Sequence, residues 1–159
     1  MREGIDQAGS DLEAVLEDVR ELSHGLRPPL LSRRGLRASL GELARRSPVP
    51  VELKVEIGER PHEMIETALY YLVAEALANV NRYANASTVS VTIASDPTGL
   101  RATITDDGDG GATPRPGSGL VGLADRIDVL GGGFELESRR GHGTTITVTL
   151  PPTPPAIPG

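Results

Sequence analysis

The sequence of 159 residues contains no cysteine and no tryptophan, and it has only one phenylalanine and three tyrosines. The absence of cysteine excludes a disulfide framework, thiolate zinc sites and cysteine nucleophiles. Because aromatic side chains are so scarce, a hydrophobic core must consist mainly of aliphatic residues and alanine. A chain of this length can form one domain of ordinary size with a short additional segment.

Positive charge is also in short supply, since 16 Lys and Arg stand against 22 Asp and Glu, which gives a formal net charge of -6. Nucleic-acid binding depends on clustered Lys and Arg that meet phosphates, so we expect no nucleic-acid partner. No apolar run approaches the roughly 20 residues of a membrane span, and the first residues lack the apolar core of a signal peptide. We therefore expect a cytoplasmic chain without direct membrane contact, even if a longer parent protein is membrane-anchored.

The N-terminal part carries a helix pattern with a narrow apolar seam. Ser10 and Glu13 form a capping box. Apolar residues then recur at 3-4-3-4 spacing at Leu12, Val15, Val19, Leu22 and Leu26. Two heptads are compatible with a bundle or dimer seam and equally with packing on the helix's own domain. Arg27-Pro28-Pro29 predicts the end of this helix, and a second short helix is expected from about Leu36 to Arg46.

From Val49 onward the pattern changes to period two. Apolar and polar residues alternate in five segments, at Val51 to Ile57, Val89 to Ile93, Leu100 to Ile104, Phe134 to Leu136 and Ile146 to Leu150. Strands with one apolar and one polar face predict a sheet that is covered on a single side. A parallel sheet covered on both sides would show continuous apolar runs instead, so the pattern disfavours doubly wound folds.

Two further helices are predicted, one from about Pro61 to Ala84 and one from about Leu120 to Leu130. Hairpin turns are expected at 96–99 and 140–143. The resulting fold class is α/β: a two-layer α/β sandwich with a mixed, mostly antiparallel sheet and helices on one face, preceded by an N-terminal helix. The proline-rich residues 152–159 are expected to form a disordered tail.

The long helix carries two polar residues at the border of its apolar stripe. Glu75 and Asn79 lie one turn apart, with Tyr71 and Arg82 beside them. An amide oxygen and a carboxylate in this arrangement suit a Mg²⁺ site, in which the amide binds the ion and the carboxylate orients a water or a nucleophile. The alternative is that both are ordinary polar residues on the rim of a helix.

The segment TDDGDGGATPRPGSGL, residues 105–120, is compatible at first sight with a solvated turn, a cation loop or a nucleotide pocket. The calcium-loop reading fails, because the spacing from Asp107 and Asp109 puts Ser118 where a bidentate Glu is needed. A plain hairpin turn fits badly, because the connection is about a dozen residues long. A ligand-binding loop remains.

The two ends of this loop differ chemically. Asp106 closes a strand, and a carboxylate at that point accepts hydrogen bonds from an amino-bearing base but repels phosphates. Gly108 and Gly110 remove side chains where a flat ring has to approach the backbone. Gly117-Ser118-Gly119 opens the next helix, whose unpaired N–H groups attract phosphate. A base is therefore expected at the acidic end and phosphates at the glycine-rich end.

Four short motifs in this order resemble the N box, the two glycine-rich boxes and the Gly-Thr motif of the GHKL ATPases. They are Glu75 to Asn79, Asp106 to Gly110, Gly117 to Leu120, and Gly141 to Thr144. This superfamily includes DNA gyrase B, MutL and the sensor histidine kinases, and it has the Bergerat ATP-binding fold. The resemblance covers roughly residues 49–151 and implies a Mg²⁺-dependent ATP site.

The resemblance also implies roles for individual residues. Asn79 would bind Mg²⁺ together with Glu75, and Glu75 would act in catalysis by polarising the reacting group. Asp106 would receive the adenine amino group, and Thr144 would complete the wall beside the base. The other residues expected to bind or shape the nucleotide site are Arg82, Tyr83, Gly108, Gly110, Gly117, Ser118, Gly119 and Leu120.

The flanking sequence resembles two-component histidine kinases that serve helix-turn-helix response regulators. Leu26 to Leu31 and Gly35-Leu36 look like the junction between their dimerisation helices and catalytic domain. The implied division is 1–34 for the end of the dimerisation helix and the junction, 35–151 for the ATP-binding catalytic domain, and 152–159 for the tail. Arg82-Tyr83 departs from the family's basic residue followed by His, which leaves the role of Tyr83 open.

The resemblance implies a kinase that transfers the γ-phosphoryl of Mg-ATP to a histidine on a dimerisation helix. His24 lacks the acidic context of a phosphoacceptor, so we expect this chain to bind ATP without phosphorylating itself. The expected partners are ATP, a response regulator with a helix-turn-helix output domain, and a second copy in the full-length kinase, while this chain alone is compatible with a monomer. The alternatives are an anti-sigma-factor serine kinase of the same fold and a degenerate nucleotide-binding dimerisation scaffold. Residues 111–116 are expected to form a lid.

Overall fold

The computed structural model describes residues 27–114 and 118–156. The predicted heptad helix with His24, and Gly117 of the predicted glycine box, lie outside the described residues. The described residues form a five-stranded sheet with strands β1 (Val51–Glu56), β2 (Val89–Asp96), β3 (Gly99–Asp106), β4 (Gly133–Ser138) and β5 (Thr144–Leu150). The order across the sheet is β1-β2-β3-β5-β4. Only the β1–β2 pair is parallel, so the predicted mixed, mostly antiparallel sheet is confirmed.

The covered face of the sheet carries the apolar residues that the alternation predicted. Three aligned positions on the central strands, Val91, Ile104 and Ile146, are buried. The neighbouring row on the other face contains the aligned threonines Thr103 and Thr147, which remain partly exposed. Covering one face therefore requires only one apolar residue in two, which explains the period-two pattern.

Helix α1 (Pro29–Arg46) begins seven residues before Leu36, and its part after Gly35 corresponds to the helix predicted from about Leu36 to Arg46. Within the described residues, Pro28 and Pro29 stand at the beginning of this helix and not at the end of another one. Proline is tolerated there because a backbone N–H in the first helical turn would have no partner within the helix. The helix is interrupted at Gly35, whose φ of 80° and ψ of -176° lie outside the helical region. Leu31 on the first side of the break and Leu40 on the second are both buried in the core.

Helix α2 (Glu63–Asn79) is capped by His62, whose ring accepts a hydrogen bond from the Met64 N–H at 3.2 Å. It begins two residues later than the predicted Pro61. A π-helical segment (Val80–Ala84) continues it to the predicted end, and Asn85 then leaves the helix with a φ of 50°. The periodicity thus predicted the end of the helix correctly but not the wider last turn, which places residues 80–84 differently from an α-helix.

Helix α3 (Gly119–Val129) begins at the N-cap Ser118, whose hydroxyl accepts a hydrogen bond from the Val121 N–H at 3.5 Å. It ends before Gly131, which has a φ of 79°, as the glycine run predicted. Residues 151–156 after β5 form neither helix nor strand. Within the part of the chain that the structure describes, no helix is both long and apolar enough to cross a membrane.

An ion cluster joins the segment before α1 to α2. It consists of the buried carboxylate of Glu66 and the partly exposed guanidinium groups of Arg27 and Arg60. The Glu66 side chain is 1 % exposed, and its carboxylate accepts hydrogen bonds from both guanidinium groups. Arg27 also donates to the Glu63 carbonyl at 2.8 Å, and Arg60 donates to the Leu31 carbonyl at 2.8 Å. Residues 27–34 are therefore bound to the folded unit, although the boundary predicted between residues 34 and 35 stays a prediction.

We expect Glu66→Gln to lower the free energy of unfolding by about 2 kcal/mol, because it removes the buried charge to which two partly exposed guanidinium groups donate. Urea denaturation at pH 7 measures this change. The matched control is Glu59→Gln, which removes an exposed carboxylate from the same region and should change stability by less than about 0.5 kcal/mol. Equal effects of the two substitutions would show that the cluster contributes nothing to stability.

Candidate functional site

A cavity of about 470 Å³ opens between α2, the ends of β3 and β5, and the loop that follows β3. This volume is in the range of small-molecule sites. The cavity is lined by nine residues that the sequence analysis singled out: Glu75, Asn79, Tyr83, Asp106, Gly110, Ser118, Gly119, Leu120 and Thr144. Of the other described candidates, Arg82 and Gly108 do not line it.

On the α2 side, Glu75 and Asn79 face the cavity one helical turn apart, as the spacing predicted. Glu75 is only 6 % exposed, and its carboxylate lies directly against the first residue of α3, Gly119. Tyr71, one turn earlier on α2, is half-buried and packs edge-on against Tyr70 with ring centroids 5.3 Å apart. Burial raises the pKa of Tyr71 above its usual range.

On the sheet side, Asp106 is the last residue of β3 and is 6 % exposed. The ladder pairs it with Val89 on one side and Thr144 on the other, so the positions of both Asp106 and Thr144 are set by the sheet. Its Oδ1 atom accepts a hydrogen bond from the Gly108 N–H at 2.8 Å. A carboxylate has capacity for several donors, so it can still accept one from a molecule in the cavity.

The glycines after β3 allow three segments of backbone to meet. A methyl group on Gly108 would lie 2.8 Å from the carbonyl carbon of Ala84, and one on Gly110 would lie 2.8 Å from the Gly143 oxygen. Hydrogen bonds join the same segments, from the Asp109 N–H to the Ala84 carbonyl and from the Gly141 N–H to the Asp109 carbonyl. The close neighbours of both glycines are thus protein atoms, and their role toward a flat ring stays a prediction.

Asp107 has a structural role that the sequence analysis did not identify. Its Oδ1 atom accepts hydrogen bonds from the backbone N–H groups of Ser87 at 2.7 Å and Thr88 at 3.0 Å. These donors hold the pKa of the Asp107 carboxyl below its usual range. Asp107 therefore fixes the chain that enters β2, and no local pattern predicts a contact between residues about twenty positions apart.

Ser138 was also missed, although it supports two parts of the cavity wall. Its hydroxyl oxygen accepts a hydrogen bond from the Ala112 N–H at 2.9 Å and lies 2.6 Å from Oγ1 of Thr144. Ser138 and Thr144 are direct partners in the β4–β5 ladder. The predicted hairpin turn implied that these strands pair, so the register of the hairpin was the signal that could have found this residue.

The donor set of the cavity is compatible with a magnesium ion. Glu75 and Asn79 supply a carboxylate and an amide oxygen, which are ligand types that Mg²⁺ prefers. Across residues 27–114 and 118–156, no three His, Cys, Asp or Glu side chains are grouped so that they could hold a metal ion by themselves. Magnesium sites that include substrate phosphates and water need only one or two carboxylates from the protein, so this set is sufficient for such a site.

Comparison with known proteins relates this chain to ATP-binding proteins. Residues 64–154 match the family model of histidine kinase-, DNA gyrase B- and HSP90-like ATPases. The chain is 33% identical to the signal transduction histidine-protein kinase/phosphatase DegS of Brevibacillus brevis, over 94% of this chain and 43% of that protein. It is 33% identical to the sensor histidine kinase MctS of Rhizobium johnstonii, over 92% of this chain and 34% of that protein. The chain thus spans less than half the length of these two relatives.

The solved structure of the Acinetobacter baumannii histidine kinase AdeS superimposes with a TM-score of 0.60 over 89% of this chain and 79% of that chain. At 17% sequence identity, this likeness concerns the fold alone. The two-layer sandwich expected from the sequence is therefore the fold of known histidine kinases. The family model covers more than half of the residues and includes every described residue of the cavity wall. This chain belongs to the histidine kinase-, DNA gyrase B- and HSP90-like ATPase family.

Proposed function

We propose that this chain is the ATP-binding catalytic domain of a sensor histidine kinase, which binds Mg-ATP and transfers the γ-phosphoryl group to a histidine on a dimerisation helix. The observation that carries the proposal is the pair of buried carboxylates in one cavity. Asp106 lies at the sheet end, beside Thr144, and Glu75 lies against the start of α3. Two acids at separate points of one cavity suit a ligand with an amino-bearing base and a reacting group some distance away.

The base would bind at the sheet end. Asp106 is buried and rigidly placed, so its free acceptor capacity points to a donor such as the adenine amino group. Thr144 adds a hydroxyl beside it, which Ser138 holds in position. Gly108 and Gly110 shape this part of the site, and the exposed ring of Tyr83 borders the cavity on the α2 side.

The phosphates would bind between α2 and the start of α3. Backbone N–H groups at Ser118 and Gly119 belong to a helix N-terminus, which attracts phosphate oxygens. Glu75 and Asn79 face the same space and would hold Mg²⁺ together with phosphate and water oxygens. The ion would offset the negative charge of the triphosphate. Gly117 and Leu120 complete the set of residues that we assign to the nucleotide site, and a role of Arg82, which does not line the cavity, stays a prediction.

Catalysis would consist mainly of positioning and charge neutralisation. The Glu75 carboxylate would accept a hydrogen bond from the N–H of the acceptor imidazole and so raise the nucleophilicity of its other nitrogen. That nitrogen forms the new bond to phosphorus as the bond between the γ-phosphorus and the bridging oxygen breaks, and ADP leaves.

The acceptor and partners follow from the proposed activity. We propose that the acceptor histidine is not His24 but belongs to a dimerisation helix that is not among these 159 residues, and that two copies of the kinase associate through such helices. The phosphoryl group would pass on to a response regulator with a helix-turn-helix output domain. Residues 35–151 would form the catalytic domain, residues 1–34 its connection to the dimerisation helix, and residues 152–159 a tail.

We expect Asn79→Ala to remove most of the Mg²⁺ dependence of ATP binding, because the amide oxygen is one of the two proposed protein ligands. Calorimetric titration with ATP, with and without Mg²⁺, should show at least a tenfold loss of Mg-ATP affinity, about 1.4 kcal/mol. Asn81→Ala is the matched control, since Asn81 is exposed two residues later. An unchanged Mg²⁺ dependence in Asn79→Ala would contradict the metal assignment.

We expect Asp106→Asn to weaken ATP binding by roughly 30-fold, about 2 kcal/mol, because a charge-assisted hydrogen bond to the base is lost. Binding of inorganic triphosphate, which has no base, should change little. Asp109→Asn provides the control, because Asp109 is an exposed acid in the same loop. If ATP and triphosphate lose affinity equally, Asp106 does not contact the base.

We expect the 159-residue chain to bind labelled ATP without phosphorylating itself, and to transfer phosphoryl when a histidine-bearing dimerisation domain of a related kinase is added. Acid-labile, base-stable label on the added domain is the readout. Binding without transfer would indicate a nucleotide-binding scaffold instead. Label on His24 of the chain alone would refute the assignment of the acceptor to another helix.

A further inference from the structure

Gly119 and Glu75 are in direct contact across the cavity wall. A methyl group on Gly119 would lie 2.5 Å from Cδ of Glu75, 3.1 Å from Cγ and closer still to Oε1. Real Cβ atoms do not approach other heavy atoms this closely, because the overlap is strongly repulsive. The Glu75 carboxylate thus occupies the space that the side chain of any other residue at position 119 would need.

The backbone conformation at position 119 gives no reason for a glycine. Gly119 is the first residue of α3, and its conformation is helical, which every L-residue adopts readily. Glycine in a helix is in fact less favourable than alanine by up to about 1 kcal/mol. Gly122, one turn later in α3, has open space where its side chain would be. The requirement for glycine at 119 therefore comes from Glu75 and not from the helix.

Glu75 can avoid such an overlap only by turning its carboxylate away from α3, into the cavity that it lines. It is 6 % exposed, and Leu72 and Ala76 on the same helix are buried as well. Displacing its carboxylate from Gly119 would move it relative to Asn79, which lines the same cavity one turn away. The start of α3 thus limits where the carboxylate can lie.

We propose that Gly119 is a positioning residue for Glu75. Because Gly119 has no side chain, the Glu75 carboxylate can lie against α3. This places the carboxylate at the distance from Asn79 that phosphoryl transfer needs. This inference rests on the proposed function for its catalytic part. The contact itself is independent of any nucleotide.

A double-mutant cycle without nucleotide tests the contact. The variants are Gly119→Ala, Glu75→Ala and the double variant of the full 159-residue chain, with Gly122→Ala as the matched control in both backgrounds. Gly119→Ala should lower the melting temperature by on the order of 5 °C when Glu75 is present. In the Glu75→Ala background, the same substitution should leave it unchanged or raise it slightly, because the overlap is gone. Gly122→Ala should have the same small effect in both backgrounds.

Equal shifts of the melting temperature by Gly119→Ala in both backgrounds would overturn the proposal. If Gly119→Ala alone does not fold, cooperative unfolding of the double variant supports the contact, and failure of the double variant to fold counts against it. This outcome is specific to the pair, since a general intolerance of side chains at 119 would not depend on residue 75.

The catalytic part is tested by transfer to an added histidine-bearing domain. Gly119→Ala should lower kcat by roughly 10- to 100-fold through misplacement of Glu75, while the dissociation constant for ADP changes less than about twofold. Equal loss of ADP binding and of kcat would indicate that Gly119 serves only the approach of the phosphates. A wild-type chain that binds no nucleotide would overturn the proposed function, and the thermal cycle would still decide the contact.

Discussion

The burial of α2 against a sheet that is covered on one face is the constraint on which the rest of the structure depends. This helix contributes apolar residues to the core, and it also buries two carboxylates, Glu66 and Glu75. A buried charge needs compensating partners, because its desolvation costs several kcal/mol. Glu66 has Arg27 and Arg60, which join the segment before α1 to the helix. Glu75 lies at the cavity, against the start of α3, so that the functional carboxylate is held by the same packing that forms the core.

The opposite wall of the cavity depends on backbone approach instead of side-chain packing. Gly108, Gly110 and Gly143 bring the end of the π-helical segment, the loop after β3 and the β4–β5 turn into contact. Asp106 and Thr144 are thereby presented side by side from neighbouring strands. One wall depends mainly on helix burial and the other on sheet register, Ala84 at the end of the π-helical segment joins them, and the ligand space is the gap between them.

The parts of the fold that follow from local patterns were predicted well. Alternation identified all five strands, and 3.6-residue periodicity identified α2 and α3, because each pattern reflects burial on one side of an element. The part of α1 after Gly35 was predicted, whereas residues 29–34 were not, because Pro28 and Pro29 were interpreted only as the end of a preceding helix although proline also begins helices. Asp107 and Ser138 were missed, because their partners are distant in sequence and only the fold brings them together.

The amino-acid sequence alone was sufficient to specify the two-layer sandwich, the placement of Glu75 and Asn79 on one helix face, and the position of Asp106 at a strand end. These features depend on the spacing of residues within one helix or strand. The period of the element then determines on which side of it each side chain lies. Tertiary packing decided which candidates share a cavity: Thr144 and Gly119 line it, whereas Arg82 and Gly108 do not. It also decided that Gly119 meets the carboxylate of Glu75, since the distance between residues 44 positions apart is set by how two helices pack and by no pattern within either of them.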